Sequence, residues 1–286
     1  MNDTTKNRTE EDRMMECRDI EPQQGWVNIR LQELWDYREL LYFLVWRDIK
    51  VRYKQTFFGV AWVVIQPILT MVIFSIVFGR LAKLPTDGIP YPIFNYAALL
   101  PWQLFSRALS DASSSLVNNQ QFVTKIYFPR IFLPAASVLS GLVDFFIALI
   151  ILFLMMFFYH ISITFRLLVL IPLILFTLIS SLSVSLWLSA VNVKYRDVKY
   201  TLPFLMQAWL YATPIVYSSS MVPEKWRLIY GLNPMAGVVE GFRWALLGQQ
   251  SELGPMIGVS LLIVIILFLG GLVYFQKMET SFSDII

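Results

Sequence analysis

The sequence predicts an all-α membrane protein with six transmembrane helices, an N-terminal cytoplasmic interfacial amphipathic helix and a re-entrant periplasmic helical hairpin between helices 5 and 6. Three observations carry this. Of 286 residues, 57% are hydrophobic and only 15% charged, which leaves little soluble mass. Apolar runs of about 20 residues, the length that crosses a bilayer core, lie near residues 58–80, 93–115, 132–158, 167–190, 201–217 and 256–275. Basic residues favour alternate connections: Arg38, Arg47, Lys50, Arg52, Lys54, Lys125, Arg130, Lys194, Arg196, Lys199 and Lys277 fall on one side. Arg80, Lys83, Arg166, Lys225, Arg227 and Arg243 are spread more thinly over the other. By the positive-inside rule the first set is cytoplasmic, and an even number of spans returns both termini there.

Residues 1–24 are rich in charge, hold no apolar run resembling a signal-peptide core, and read as a mobile cytoplasmic tail; insertion is then directed by the first span. The lone Cys17 lies in this tail and has no internal partner for a disulfide. Residues 25–57 form the interfacial segment. At 100° per residue, a helix from near Leu34 puts Asp36, Glu39, Arg47, Lys50 and Lys54 on one side, with Trp35, Tyr42, Trp46, Ile49 and Tyr53 as an aromatic stripe a quarter turn away. Amphipathic rings at headgroup depth with cations in water is the pattern of a helix lying on a membrane, although Arg38, Asp48 and Arg52 blur it. The same pattern fits a helix that merely anchors the first span, or one that meets a partner.

Residues 58–286 make up the transmembrane domain. Its second span is interrupted by Pro101, Gln103, Arg107 and Asp111; the last two, four apart on one face, are placed to neutralise each other. Asp144 in the third span needs a polar partner or water, because a carboxylate near mid-bilayer costs about 3 kcal/mol even on insertion scales. Ser181, Ser185 and Ser189 in the fourth recur every four residues and let another helix approach closely. His160, the sole histidine, sits in an outer loop, so a histidine metal site within one chain is not expected.

Between the fifth and sixth spans, Pro223 and Pro234 suit first-turn positions, Asn233 suits a cap, and Gly231 and Gly248 suit stops. The two helices they bound, about 12 Å and 21 Å long, are too short to cross about 30 Å of hydrocarbon. Trp226, Ile229, Tyr230, Val238, Val239, Phe242, Trp244 and Leu246 are nevertheless too apolar for a solvated loop. A hairpin dipping back from the outer face satisfies both constraints if protein covers its irregular backbone. A pair resting on the outer surface is the other reading.

The chain has no G-x-x-x-x-G-K-[ST] loop, no G-x-G-x-x-G after a strand, no H-E-x-x-H and no cysteine cluster, so it does not itself hydrolyse ATP or bind a dinucleotide. A membrane-embedded glycan-modifying enzyme would gather acids at one membrane face, whereas Asp111, Asp144 and Glu240 scatter over the expected topology. What stands out instead is a pair of short, charged, aromatic cytoplasmic loops, Asn118 to Arg130 and Asn192 to Tyr200. They suit docking to a soluble partner, and equally suit simple topology signalling.

Tyr37-Arg38-Glu39-Leu40-Leu41 and Trp46-Arg47-Asp48-Ile49-Lys50-Val51-Arg52-Tyr53-Lys54-Gln55-Thr56 resemble the start of the membrane (permease) subunit of type-2 ABC exporters for polysaccharides such as O-antigen, capsule or teichoic acid. The likeness continues through Lys125 to Arg130, Tyr195-Arg196-Asp197, Asn233-Pro234-Met235 and the tail Met278-Glu279 to Asp284-Ile285, and leaves out residues 1–24. It implies a homodimeric permease in the inner membrane with two copies of a separate cytoplasmic ATPase, which binds the ATP and Mg; this chain then carries no cofactor and no nucleic acid. It implies coupling to the ATPase through Lys125, Phe128, Pro129, Arg130, Tyr195, Arg196 and Asp197, and a periplasmic gate at Pro223, Trp226, Asn233, Pro234 and Phe242. An exporter of drugs or lipids with the same architecture is the alternative within that class.

A sugar path wants flat apolar faces and replaceable hydrogen bonds. In the first span Phe58, Trp62, Gln66, Leu69 and Ile73 share one side, and in the fifth Phe204, Gln207, Tyr211, Pro214 and Ser218 do so, with Trp209 pointing the other way. Ordinary helix packing explains any one of these aromatics. The two glutamines would then lack partners in hydrocarbon, which favours a substrate channel lined by Phe58, Trp62, Gln66, Phe204, Gln207 and Tyr211.

Overall fold

The computed structural model describes residues 31–54, 59–249 and 253–285, and among them there are helices and connecting turns but no strand. The tail 1–24, Cys17, residues 25–30 and Phe58 lie outside the described residues. The segment expected to be interfacial holds two helices, α1 (Leu31–Asp36) and α2 (Arg38–Lys54), rather than one beginning at Leu34. They meet at Tyr37, whose carbonyl accepts from both Leu40 and Leu41. α3 (Gly59–Phe74) continues to Leu81 in wider π-type turns. Then follow α4 (Tyr91–Asn118), α5 (Gln120–Lys125), α6 (Phe132–Phe158), a 3-10 turn (Phe165–Val169), α7 (Leu170–Lys194) and α8 (Val198–Ala212). The segment expected to form a hairpin holds α9 (Glu224–Tyr230) and α10 (Pro234–Leu247), and α11 (Leu253–Ile285) follows.

α4 is the centre of the molecule and packs against α3, α6, α7, α8 and α10. Its first half is mostly apolar, and Ile93, Phe94, Tyr96, Ala97, Leu99 and Trp102 are all buried there together with Asn95. Of the residues that interrupt it as an apolar run, Pro101 and Gln103 lie in its first half and the charged Arg107 and Asp111 in its second. The serine ladder of α7 is enclosed as the sequence predicts: Ser181, Ser185 and Ser189 are completely buried, and Ser181 returns its hydroxyl to the Thr177 carbonyl at 2.8 Å. α7 and α11 also pack together, where Trp187 stacks on Tyr274 and donates to the Leu267 carbonyl at 2.9 Å.

Among the described residues, four helical stretches are long and apolar enough to cross a membrane: 61–81, 132–158, 165–194 and 256–280. Two helices end elsewhere than expected. α8 ends at Ala212 instead of 217, because Thr213 precedes Pro214 and takes the extended backbone (φ −102°, ψ 143°) which that position favours. α11 runs well past 275, since nothing between Phe275 and Ile285 breaks a helix.

In the hairpin, the Asn233 side chain caps α10 by accepting from the Met235 amide at 3.1 Å, Pro234 takes the first turn, and Gly248 ends it at φ 71°, a left-handed conformation glycine adopts without a Cβ clash. Pro223 stands one place outside α9 as its cap residue. α10 does not rest on a surface: Met235, Ala236, Val238, Val239 and Phe242 are fully buried among α4, α7 and α11. Gly241 permits this, because a Cβ there would lie 2.7 Å from Leu173 on α7.

Candidate functional site

Where α2 ends, it reaches into the bundle. Arg52 donates from Nη1 to Asp144 Oδ2 at 2.8 Å and from Nη2 to Asp111 Oδ2 at 2.6 Å. Tyr53 donates its hydroxyl to Asp144 Oδ1, and Arg107 closes on Asp144 Oδ2 from α4. Arg107 also reaches Gln66 Oε1 on α3 at 3.4 Å. Four helices are thereby joined around one carboxylate whose side chain is 8% exposed.

Three expectations are corrected here. Arg107 pairs with Asp144 and Asp111 with Arg52, rather than Arg107 with Asp111. A same-helix pair gains only a few tenths of a kcal/mol, while a buried carboxylate without a cation is far costlier. Asp111 and Asp144 are gathered at one place and not scattered, but two guanidiniums neutralise them, so they are not a free acid pair. Gln66, expected to lack a partner, accepts from Arg107. Beside the cluster a cavity of about 20 Å³, lined by Gln103, Arg107, Gly141 and Asp144 among others, has room for one water.

The expected channel residues lie on open faces of the chain. Trp62 (56% exposed) and Tyr211 (49%) are uncovered, as are Gln66, Phe204 and Gln207. The face on α8 stops at Tyr211, because Pro214 and Ser218 turn into the interior beyond the helix end. Trp209 points inward, donating to Asn233 Oδ1 at 2.9 Å and packing edge-on against Phe105 at 5.1 Å.

The expected coupling residues divide into two kinds. Lys125 at the end of α5 and Tyr195, Arg196 and Asp197 on a short turn are exposed, whereas Phe128 is buried and Pro129 partly so. Arg130 is tied to α11: its amide donates to Glu279 Oε1 at 3.1 Å and its guanidinium to the Glu279 carbonyl. Arg47 of α2 lies 5.4 Å over the Phe122 ring of α5. No spacing rule could have found Glu279, which is 149 residues away from Arg130.

Of the expected gate residues, Pro223 and Trp226 are exposed, Asn233 ties Trp209 to the start of α10, and Pro234 and Phe242 are buried, Phe242 meeting Phe145 edge-on at 6.0 Å. Arg243, counted as an outer-loop cation, is instead completely buried. It pairs with Glu240 at 3.1 Å, lies 3.6 Å over the Phe94 ring, and donates to the carbonyls of Ile215 (2.7 Å), Tyr217 (3.2 Å) and Phe94 (3.3 Å). Asp87 gathers the same region, accepting from Ser218 Oγ at 2.8 Å and Gln249 Nε2 at 2.6 Å.

Residues 39–247 of this arrangement match the ABC-2 type transporter family. The chain belongs to that family. It is therefore a multi-pass membrane protein and a transport subunit whose ATPase is a separate protein. It is 27% identical over 256 residues to the O-antigen export system permease protein RfbA of Myxococcus xanthus, an alignment covering 88% of this chain and 97% of that one. It is 29% identical over 250 residues to the protein of the same name from Klebsiella pneumoniae (87% and 95% covered). The polysialic acid transport protein KpsM of Escherichia coli is 23% identical over 243 residues (83% and 93% covered). The ABC-2 match begins in α2 and ends with α10, so the ionic cluster and the buried Arg243 both fall inside it, while the Glu279 latch falls beyond.

Proposed function

We propose that this ABC-2 chain is the permease of an ATP-driven exporter that moves a polysaccharide, such as a lipid-linked O-antigen, across the inner membrane. The observation that carries the reading is the near full-length alignment with permeases named for O-antigen export. The exposed faces suit it: Trp62 and Tyr211 offer rings on which sugars stack, and Gln66 and Gln207 offer weak, replaceable hydrogen bonds. Two copies facing each other across a two-fold axis would enclose such a path, and two copies of the ATPase, carrying ATP and Mg, would drive it.

In this reading the chain crosses six times, with both termini cytoplasmic. α4 can cross despite its charges, because they are paired inside the bundle. α8, about 22 Å long at 1.5 Å per residue, falls short of the hydrocarbon core. The segment Thr213–Ser218 completes the passage, and its irregular backbone is tolerable at depth because Arg243 and Tyr91 satisfy the carbonyls of Ile215, Val216 and Tyr217. The hairpin then lies on the outer side as a gate, with α10 inserted among the spans, and the exposed residues Lys125 and Tyr195 to Asp197 meet the ATPase.

Deleting the gene in its host and staining for cell-surface polysaccharide tests the function. Loss of surface glycan with accumulation of the undecorated, lipid-linked polymer inside, restored by the wild-type gene, is expected. Normal surface glycan together with a lost efflux phenotype would assign the chain to a drug or lipid exporter.

A further inference from the structure

Arg52 and Asp144 are 92 residues apart, yet their contact pins the last turn of α2 to α6. One and a half turns earlier on the same helix, Arg47 rests on Phe122 of α5. Beyond Asp144 the contacts continue through Arg107 to Gln66 on the exposed face of α3. α2 thus bridges the short helix α5 and the bundle, and among the described contacts its route into the polar interior is through Asp111 and Asp144. A helix that served only as a membrane anchor would not need to bury a charge-balanced cluster, since ion pairs of this kind add little stability over apolar packing.

We propose that Asp144 is a positioning residue for transport: it holds Arg52, Tyr53 and Arg107 in one rigid junction, so that displacement of α5 by the ATPase passes along α2 to α3 and α4 and re-aims Gln66. This rests on the transport reading above. The junction suits the task because it is stiff and stays neutral. Each of its two carboxylates takes a guanidinium contact, and neither arginine can shift without disturbing the other's partner. Phe122 and Gln66 form the two ends of the route, and neither carries charge, so both can be altered without leaving an ion unpaired.

The test uses the complete permease–ATPase complex in membranes, with two readouts taken per assembled complex: ATP hydrolysed and surface polysaccharide delivered. Asp144→Asn, Asp144→Glu, Phe122→Ala and the Phe122→Ala/Asp144→Asn pair are compared. The expected result is that Asp144→Asn and Phe122→Ala each lower the polysaccharide delivered per ATP by about fivefold or more, the lower end of ordinary site-to-site coupling. Asp144→Glu recovers most of the ratio, and the double variant is no worse than the more impaired single one, as expected for one route. A merely structural role lowers the amount of complex and leaves the ratio unchanged, and that outcome overturns the proposal. So does full additivity of the two substitutions. If Asp144→Asn fails to assemble, Phe122→Ala decides alone: an unchanged ratio overturns the proposal, and a lowered ratio supports it. Failure of the wild-type complex to deliver polysaccharide would instead sink the functional reading.

Discussion

Arg243 shows how one side chain can hold together parts of the chain that sequence neighbours cannot connect. At complete burial it makes four hydrogen bonds, to Glu240 and to the carbonyls of Phe94, Ile215 and Tyr217, and its guanidinium lies over the Phe94 ring. Arg243→Met is expected to lower stability by about 3–5 kcal/mol, because it leaves the buried Glu240 carboxylate without its cation. A Glu240→Gln/Arg243→Met pair should regain part of that loss but not all, since the Ile215 and Tyr217 carbonyls remain unpaired. Thermal unfolding in detergent measures both; equal stability of the double variant and the wild type would show that the backbone contacts carry nothing. In the sequence Arg243 read as a loop cation, because topology counting sees which connection a residue is on and not what folds over it. Asp144 was legible only as a demand for a partner. Asn233, by contrast, was legible as a cap, because capping is written in three or four adjacent residues. Its further bonds from Trp209 and to Thr213 were not.

At the scale of elements, a boundary was readable wherever one local rule decided it. α6 begins and ends with its apolar run, and α10 is bounded by Asn233-Pro234 and Gly248. Apolarity alone places the end of α8 five residues beyond Ala212, where the proline rule at Thr213-Pro214 stops it, and places the end of α11 too early, because hydropathy falls after 275 while helix propensity does not. The extension of α11 has a purpose in packing: it delivers Glu279 to Arg130 beside the short helix α5. Charge reversal at Arg130 should leave insertion intact and reduce export, by freeing this loop from α11. An Arg130→Glu/Glu279→Arg exchange should restore only part of the export, because Arg130 also donates to the Glu279 backbone, which no side-chain swap replaces. Export measured at matched expression decides it; full restoration would show that charge complementarity alone holds the loop, and unchanged export in Arg130→Glu would remove the loop from coupling altogether. Reversal at Arg196, which is exposed on its turn, should impair export without destabilising the chain, and its export at normal expression is the check.

The single chain leaves large apolar side chains uncovered on α3 and α8: Leu69, Val72, Ile73 and Ile76 on one, Phe204 and Leu205 on the other, flanking Trp62 and Tyr211. Lipid could cover all of them. The amides of Gln66 and Gln207 on the same faces are poorly matched to lipid and well matched to a hydrated path between two copies. Single cysteines along α3 and α8, on a Cys17-free background, should therefore crosslink into dimers, and a solubilised complex with one permease per two ATPases would exclude the two-fold path. The inward turn of Trp209 sharpens the comparison with its neighbours. Its ring packs on Trp102 and Phe105 and its indole holds Asn233, so Trp209→Ala should lower the amount of assembled protein. Trp62→Ala and Tyr211→Ala, which remove only exposed rings, should spare assembly and slow polymer export. A water-soluble thiol reagent applied during active transport should accordingly modify cysteines placed at 62 and 211 and leave one at 209 untouched. Labelling at 209 with none at 62 or 211 would put the path on the opposite side of α8, where Trp102 and Phe105 now fill the space.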